Sequence, residues 1–339
     1  MTPAPLAISC GDPAGIGGEV LAAAWRALGA QIPFALIGDA QWAASFGIPV
    51  ARIAAIEEAA HICARALPVL HRPFAAPPGP GRADPRNAAA VIAAIEEAVA
   101  LARAGRAGGV VTLPINKKAL KDGADFAHPG HTEFLAHLDG AARSVMMLMG
   151  PAMRVVPVTI HMPLAQVSHA LTGALLTETA RIVHGALIRD FAIAAPRIAV
   201  AGLNPHAGEG GMMGREEIEI IAPALDGLRA EGMDIAGPLP ADTMFHPPAR
   251  ARWDAALCMY HDQALIPIKT LDFDRGVNAT LGLSFVRTSP DHGTAYDIAG
   301  RGVASPLSLI EAIRAARAMA IARAGHPAGH PAGHPIAAA

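Results

Sequence analysis

Histidine is the residue with the most chemical potential in this 339-residue chain, with fifteen copies against three cysteines. Three of the histidines share one local context. The apolar run Val155 to Ile160 ends in His161, the run Ile198 to Leu203 leads through Asn204 and Pro205 into His206, and the run Ala256 to Tyr260 ends in His261. Each run predicts a strand, so each imidazole follows a strand's carboxyl end, and in open α/β sheets those ends line the crevice where ligands bind. Three neutral imidazoles converging there would hold a zinc-, cobalt-, nickel- or iron-type ion with positions left open, which is the pattern of a catalytic rather than a closed structural site. Their spacings match no compact metal motif, and any one of them serves equally well as a hydrogen-bonded loop residue. The shared context is the reason to read them as a set.

Groups suited to an anion come next. Pro129-Gly130-His131-Thr132-Glu133 opens a helical pattern whose N-terminus favours negative charge, with Thr132 either a ligand or simply a helix cap. Lys269, Asn278 and Arg287 recur between Pro267 and Ser289, amid apolar stretches such as Leu281 to Val286. Singly, such cations are more often surface residues; together they suit a phosphorylated or carboxylated substrate. Gly11-Asp12-Pro13-Ala14-Gly15-Ile16-Gly17-Gly18 joins the first predicted strand to a helical pattern, where backbone N–H groups approach an anion. It lacks G-x-G-x-x-G spacing, so the Rossmann dinucleotide fingerprint is absent and a plain tight turn is the rival reading. Gly208-Glu209-Gly210-Gly211, just beyond His206, lets the backbone curl around whatever that histidine binds.

The elements that must position these groups alternate short apolar runs with helical patterns, which predicts an α/β fold on a parallel sheet. Strands are expected over Leu6 to Ser9, Phe34 to Ile37 and Val110 to Leu113, besides the three that precede the histidines. Ile218, Ile221, Leu225 and Leu228 fall on one face of a helix stopped by Gly232, and Val91, Ile95 and Val99 form the stripe of another over Asn87 to Ala104. Residues 71 to 86 are too rich in Pro and Gly for a regular element. Gly325 to Pro335 repeats Gly-His-Pro-Ala, a period that cannot place an apolar face on a core, so residues 326–339 are expected to be a disordered, solvated tail with no catalytic part for His326, His330 or His334.

Composition limits the function classes. The length is a prior for two domains at about 150 residues each, and 52% hydrophobic residues supply a sizeable core. A net charge of −2 and only 4% aromatic residues argue against nucleic acid, which needs a basic footprint or a stacking platform. Cys10, Cys63 and Cys258 form no C-x-x-C pair and read as small buried hydrophobes in a reducing compartment. The first residues carry no secretory pattern, and the most apolar stretch, Val145 to Ile160, is too short for a bilayer and contains Arg154. A soluble cytoplasmic protein with no membrane partner is expected.

Longer motifs sharpen this reading. GDPAGIGGEV at 11–20, HPGHTEFLA at 128–136, GLNPHAGEGG at 202–211, GPLPADTMF at 237–245, MYHDQALIPIK at 259–269 and GVNATLGLSFVRTSPDHGTAYDIAGRG at 276–302 together resemble the 4-hydroxythreonine-4-phosphate dehydrogenase family, in consistent order over roughly residues 5 to 320. The resemblance implies two α/β/α domains like those of isocitrate and isopropylmalate dehydrogenases, with the active site in the interdomain cleft. We place the first domain at 1–125 plus 295–325 and the second at 126–294. The resemblance also implies NAD or NADP as cofactor, one divalent ion per site (zinc, magnesium or cobalt) and a homodimer with the active site at its interface. The family's metal ligands fall on His161, His206 and His261, and its substrate-binding positions on His131, Thr132, Lys269, Asn278 and Arg287. Gly293, Thr294 and Asp297 are expected in the dinucleotide loop. Leu113 stands where the family usually has Gly or Ala.

The implied reaction is oxidation of 4-phosphooxy-L-threonine followed by loss of carbon dioxide, on the route to pyridoxal phosphate. Asp242, Asp262 or Lys269 would take the alcohol proton, and Asp262 has a second possible role in orienting His261. Alternatives within the family's relatives are 4-phosphoerythronate, 4-phosphothreonate or a carboxylated cis-dihydrodiol. Outside them, a phosphate acyltransferase of similar fold or a histidine-based metal buffer remain open readings.

Overall fold

The computed structural model describes residues 4–325; the histidine-rich tail lies outside the described residues. Twelve strands follow in chain order: β1 (Leu6–Ser9), β2 (Phe34–Gly38), β3 (Val50–Ile53), β4 (Leu67–His71), β5 (Val110–Thr112), β6 (Val145–Met149), β7 (Arg154–Pro157), β8 (Arg197–Ala201), β9 (Asp234–Leu239), β10 (Ala255–Cys258), β11 (Val277–Leu281) and β12 (Arg287–Pro290). All lie in one sheet of order β3-β4-β2-β1-β5-β12-β11-β6-β7-β10-β8-β9. Helices pack on it, giving the expected mixed α/β class.

The sheet is parallel only on its two flanks. At its centre β11 runs antiparallel to both β12 and β6, and β6 antiparallel to β7. The expectation of a parallel sheet fails there because the connections are too short: residues 150–153 join β6 to β7 and residues 282–286 join β11 to β12, whereas a parallel crossover needs a dozen residues or more. The strands before the three histidines also stop sooner than the apolar runs do. β7 ends at Pro157, β8 at Ala201 and β10 at Cys258, so His161 and His206 sit on irregular segments beyond their strands, while His261 opens the helix that follows β10.

Three buried clusters fill the interior. One draws on residues 6–135 and 277–319, the second on 145–281 and the third on 148–268. Val91, Ile95 and Val99 are buried on the helix Ala88–Arg103 as the stripe predicts. The other stripe is offset: Ile221, Leu225 and Leu228 are buried while Ile218 is exposed. A π-helical turn at Glu217–Ile221 precedes the helix Ala222–Ala230, and its wider winding breaks the 3.6-residue register. The three cysteines are free and buried. Burial pushes the Cys10 thiol up to about 12 and the Cys63 thiol to about 11, so neither is a nucleophile at neutral pH. Among the described residues no helix is long and apolar enough to cross a membrane.

Candidate active site

β7, β10 and β8 are sheet neighbours and mutually parallel, so their carboxyl ends open on the same edge. His161 follows β7, His261 begins the helix His261–Asp272 after β10, and His206 follows β8. The His161 and His261 ring centroids are 5.7 Å apart. Both rings line a cavity of about 390 Å3 together with Thr159, Tyr260 and Asp262. His261 Nδ1 and Asp262 Oδ1 are 2.7 Å apart, a contact that orients the ring and leaves Nε2 as the nitrogen for a ligand. His161 has φ 48° and His206 φ 52°, backbone conformations that cluster where a side chain must be aimed.

The described residues do not gather His161, His206 and His261 into one three-ligand group. Among the described residues no group of three or more His, Cys, Asp or Glu side chains is placed to hold a metal ion. Two facing imidazoles, one with its second nitrogen occupied by a carboxylate, nevertheless fit the donor set of a divalent ion. His206 heads a run of left-handed residues extending through Gly210, with φ between 42° and 78°. Of these, His206, Ala207 and Glu209 carry a Cβ, and a left-handed conformation costs each roughly 1–2 kcal/mol.

On the anion side, Arg287 is only 3% exposed. Its Nη1 donates to Thr280 Oγ1 at 2.8 Å and its Nη2 to Thr112 Oγ1 at 2.7 Å, while Nε has no partner. Burial pushes the guanidinium down to about 10, with the Glu133 charge opposing. A buried cation gripped by hydroxyls rather than a carboxylate is expensive alone and is suited to an arriving anion. Asn278 lies two residues from Thr280 on β11, hence on the same face, and its Oδ1 is buried and unpartnered. His131 opens the helix His131–Asp139 behind Gly130. Its Nε2 is also buried and unpartnered, and desolvation, then the nearby Arg287 charge, hold it well below the usual histidine range. The cap position is Gly130 and no side chain caps this helix, which leaves the Thr132 hydroxyl free of that duty. Lys269 lies two turns beyond His261 on the same helix, with Nζ 2.7 Å from Asp291 Oδ2.

The glycine turn and the 293–302 loop are built onto each other. Ile16 N donates to Thr294 O at 3.0 Å, Tyr296 Oη donates to Asp12 Oδ2 at 2.7 Å, and Glu19 accepts from the backbone of Gly300 and Gly302. A Cβ at Gly15 would sit 2.7 Å from Thr294 O, so glycine is required there. Gly293 borders open space and Asp297 is exposed, while His292 Nε2 in the same loop is buried without a partner. An exposed ribbon with an orphaned imidazole fits a dinucleotide. Leu113 is buried, and its Cβ would lie 2.8 Å from a Cβ at Gly11; the leucine enters the core under the turn rather than the cleft.

Asp242 is exposed on the turn Ala241–Thr243, which packs beside the His206 turn. A concavity of about 590 Å3 opens between the helix Gly17–Leu28 and residues 300–304, lined in part by Pro13 and Gly15 of the glycine turn; none of the residues expected to hold metal, substrate or dinucleotide lines it. Sequence reasoning missed Thr112, Thr280 and Asp291. Thr280 and Asp291 lie inside the motif at 276–302, whereas Thr112 carries no local signal.

Comparison with known proteins follows the same lines. Residues 30–316 match the family model for pyridoxal phosphate biosynthetic protein PdxA. A 4-hydroxythreonine-4-phosphate dehydrogenase of Roseobacter denitrificans is 58% identical over 318 residues, covering 94% of this chain and 97% of the relative. The crystal structure of 4-hydroxythreonine-4-phosphate dehydrogenase from Klebsiella pneumoniae superposes with TM-score 0.86 at 36% identity, over 95% of this chain and 98% of that one. A terephthalate 1,2-cis-dihydrodiol dehydrogenase from Burkholderia xenovorans has TM-score 0.66 at 29% identity, over 93% and 98%. The match over most of the chain, on the elements that carry the paired imidazoles and the buried arginine, makes this chain a member of the PdxA family of 4-hydroxythreonine-4-phosphate dehydrogenases.

Proposed function

We propose that this chain oxidises 4-phosphooxy-L-threonine with NAD or NADP to 2-amino-3-oxo-4-phosphooxybutanoate, which loses carbon dioxide to give 3-amino-2-oxopropyl phosphate. The observation that carries the reading is the buried Arg287, which among the described residues forms no ion pair with a carboxylate, on a face shared with Asn278 and close to the unpartnered His131 Nε2. Arg287, His131, Thr132, Asn278 and Lys269 bind the phosphate end and fix the substrate's orientation. Neutral His131 adds a hydrogen bond without a second buried cation.

His161, His206 and His261 would hold the divalent ion, zinc, magnesium or cobalt. Such an ion would supply Lewis-acid polarisation of an alcohol oxygen, and an oxidised nicotinamide would supply the hydride acceptor. Asp262 fixes His261, and Lys269 is engaged with Asp291. Asp242 is the carboxylate left to accept the alcohol proton. Gly293, Thr294 and Asp297 line the dinucleotide ribbon.

A second copy of the chain completes the site. Leu164 is 68% and Met212 81% exposed, and Met162, Met213 and Ile266 are exposed as well; all five flank the three histidine segments, as an interface would require. The chain is read as two α/β units, 1–125 with 295–325 and 126–294; the buried clusters are separate, although Phe126, Phe134, Leu135, Val277, Leu283, Phe285 and Val286 pack in the first unit's cluster. One alternative, a carboxylated cis-dihydrodiol, draws on the likeness to the Burkholderia enzyme; its carboxylate would use the same arginine. A substrate panel separates them. Reduction of nicotinamide with 4-phosphooxy-L-threonine but not with a terephthalate dihydrodiol supports the proposal, and the reverse pattern rejects it.

A further inference from the structure

Glu217 is a carboxylate only 3% exposed, and among the described residues no Lys, Arg or His forms an ion pair with it. All its hydrogen bonds instead go to one segment. Oε1 accepts from Leu203 N at 2.7 Å and from Asn204 N at 2.8 Å, and Oε2 accepts from Asn204 Nδ2 at 3.0 Å. These are the residues immediately before Pro205 and His206. On its other side the carboxylate fills the hollow inside the left-handed turn: a Cβ at Gly208 would lie 2.6 Å from Oε2, and one at Gly202 would lie 3.1 Å from Oε1. The π turn Glu217–Ile221 begins at this residue, and π turns inside helices are frequently found at functional sites. Its irregular winding turns the Glu217 side chain inward while Ile218 goes to solvent.

A buried carboxylate bonded only to backbone and amide donors gives up its hydration to pair the Leu203 and Asn204 N–H groups, which an apolar side chain in the same hollow would leave unsatisfied. The consequence is geometric. The left-handed run from His206 to Gly210 is unfavourable on its own, so something outside it must hold it in place. We infer that Glu217 is the positioning residue for His206: its carboxylate clamps residues 203–204 and the inside of the turn, and so fixes the direction in which the imidazole leaves the β8 end. Asn204 is the shared link, because its Nδ2 also donates to Glu216 Oε2 at 2.7 Å. This rests on the reading of His206 as a metal ligand.

The test is cobalt(II) affinity of the full chain, read from the ion's visible absorption, for the unaltered protein and for Glu217→Ala, Glu217→Gln and His206→Ala, with melting temperature measured on each. Loss of a group that orients a ligand weakens metal binding roughly ten- to a hundred-fold. Glu217→Ala is expected to show that loss, and Glu217→Gln, which keeps one acceptor oxygen, a smaller one. Excess cobalt should restore turnover to both, as a purely structural role would not allow. If Glu217→Ala does not fold, the Gln variant carries the comparison. Unchanged affinity in the folded Glu217 variants alongside a weakened His206→Ala overturns the inference. Unchanged affinity in His206→Ala overturns the metal reading beneath it.

Discussion

Arg287 on β12 reaches Thr112 at the end of β5, Nη2 to Oγ1 at 2.7 Å across 175 residues of chain. The bond fixes the guanidinium plane without neutralising it, because a hydroxyl carries no charge. Arg287→Lys removes the two-pronged geometry and should raise KM for the phosphorylated substrate roughly ten- to a hundred-fold, with KM for the nicotinamide cofactor unchanged. Thr112→Val should act in the same direction and less. Equal increases in both KM values for Arg287→Lys would break the phosphate assignment.

His131 gives the fold an acid limb. Its folded pKa lies well below its ordinary 6.5 because of burial and then Arg287, so below about pH 6.5 the unfolded chain takes up a proton that the folded chain refuses. Stability is therefore retained above that pH and declines as pH falls toward the depressed folded value. Melting temperatures between pH 7 and pH 5 should fall less steeply for His131→Gln than for the unaltered protein; parallel slopes would contradict the sign.

Gly15→Ala drives a Cβ to within 2.7 Å of Thr294 O. That oxygen is backbone and also accepts from Ile16 N, so the whole 293–302 loop must move. KM for NAD should rise several-fold or more, with a smaller effect on KM for the phosphorylated substrate. An unaltered cofactor KM in a folded variant would place the dinucleotide elsewhere.

Much of this site could be read along the chain because its groups follow strands directly. The apolar runs place His161, His206 and His261 after three strands, and β7, β10 and β8 are parallel neighbours in the sheet, although only the His161 and His261 rings lie close together. Arg287 stood out as a cation in an apolar stretch. Its meaning did not, because Thr112 and Thr280 reach it only through β5–β12 pairing and the antiparallel β11–β12 pair, and no local pattern announces either partner. Asp291 was invisible as the partner of Lys269 for the same reason. Glu217 was hidden differently: helical periodicity assumes 3.6 residues per turn, and a π turn violates it at that residue.

The most direct test is steady-state oxidation of 4-phosphooxy-L-threonine by protein stripped of metal with a chelator and then reconstituted with a divalent ion. The account predicts nicotinamide reduction that disappears on chelation and returns with the ion, and a kcat/KM about a hundred-fold or more above that for unphosphorylated 4-hydroxythreonine. Turnover that survives complete metal removal, or that is indifferent to the phosphate, would contradict it.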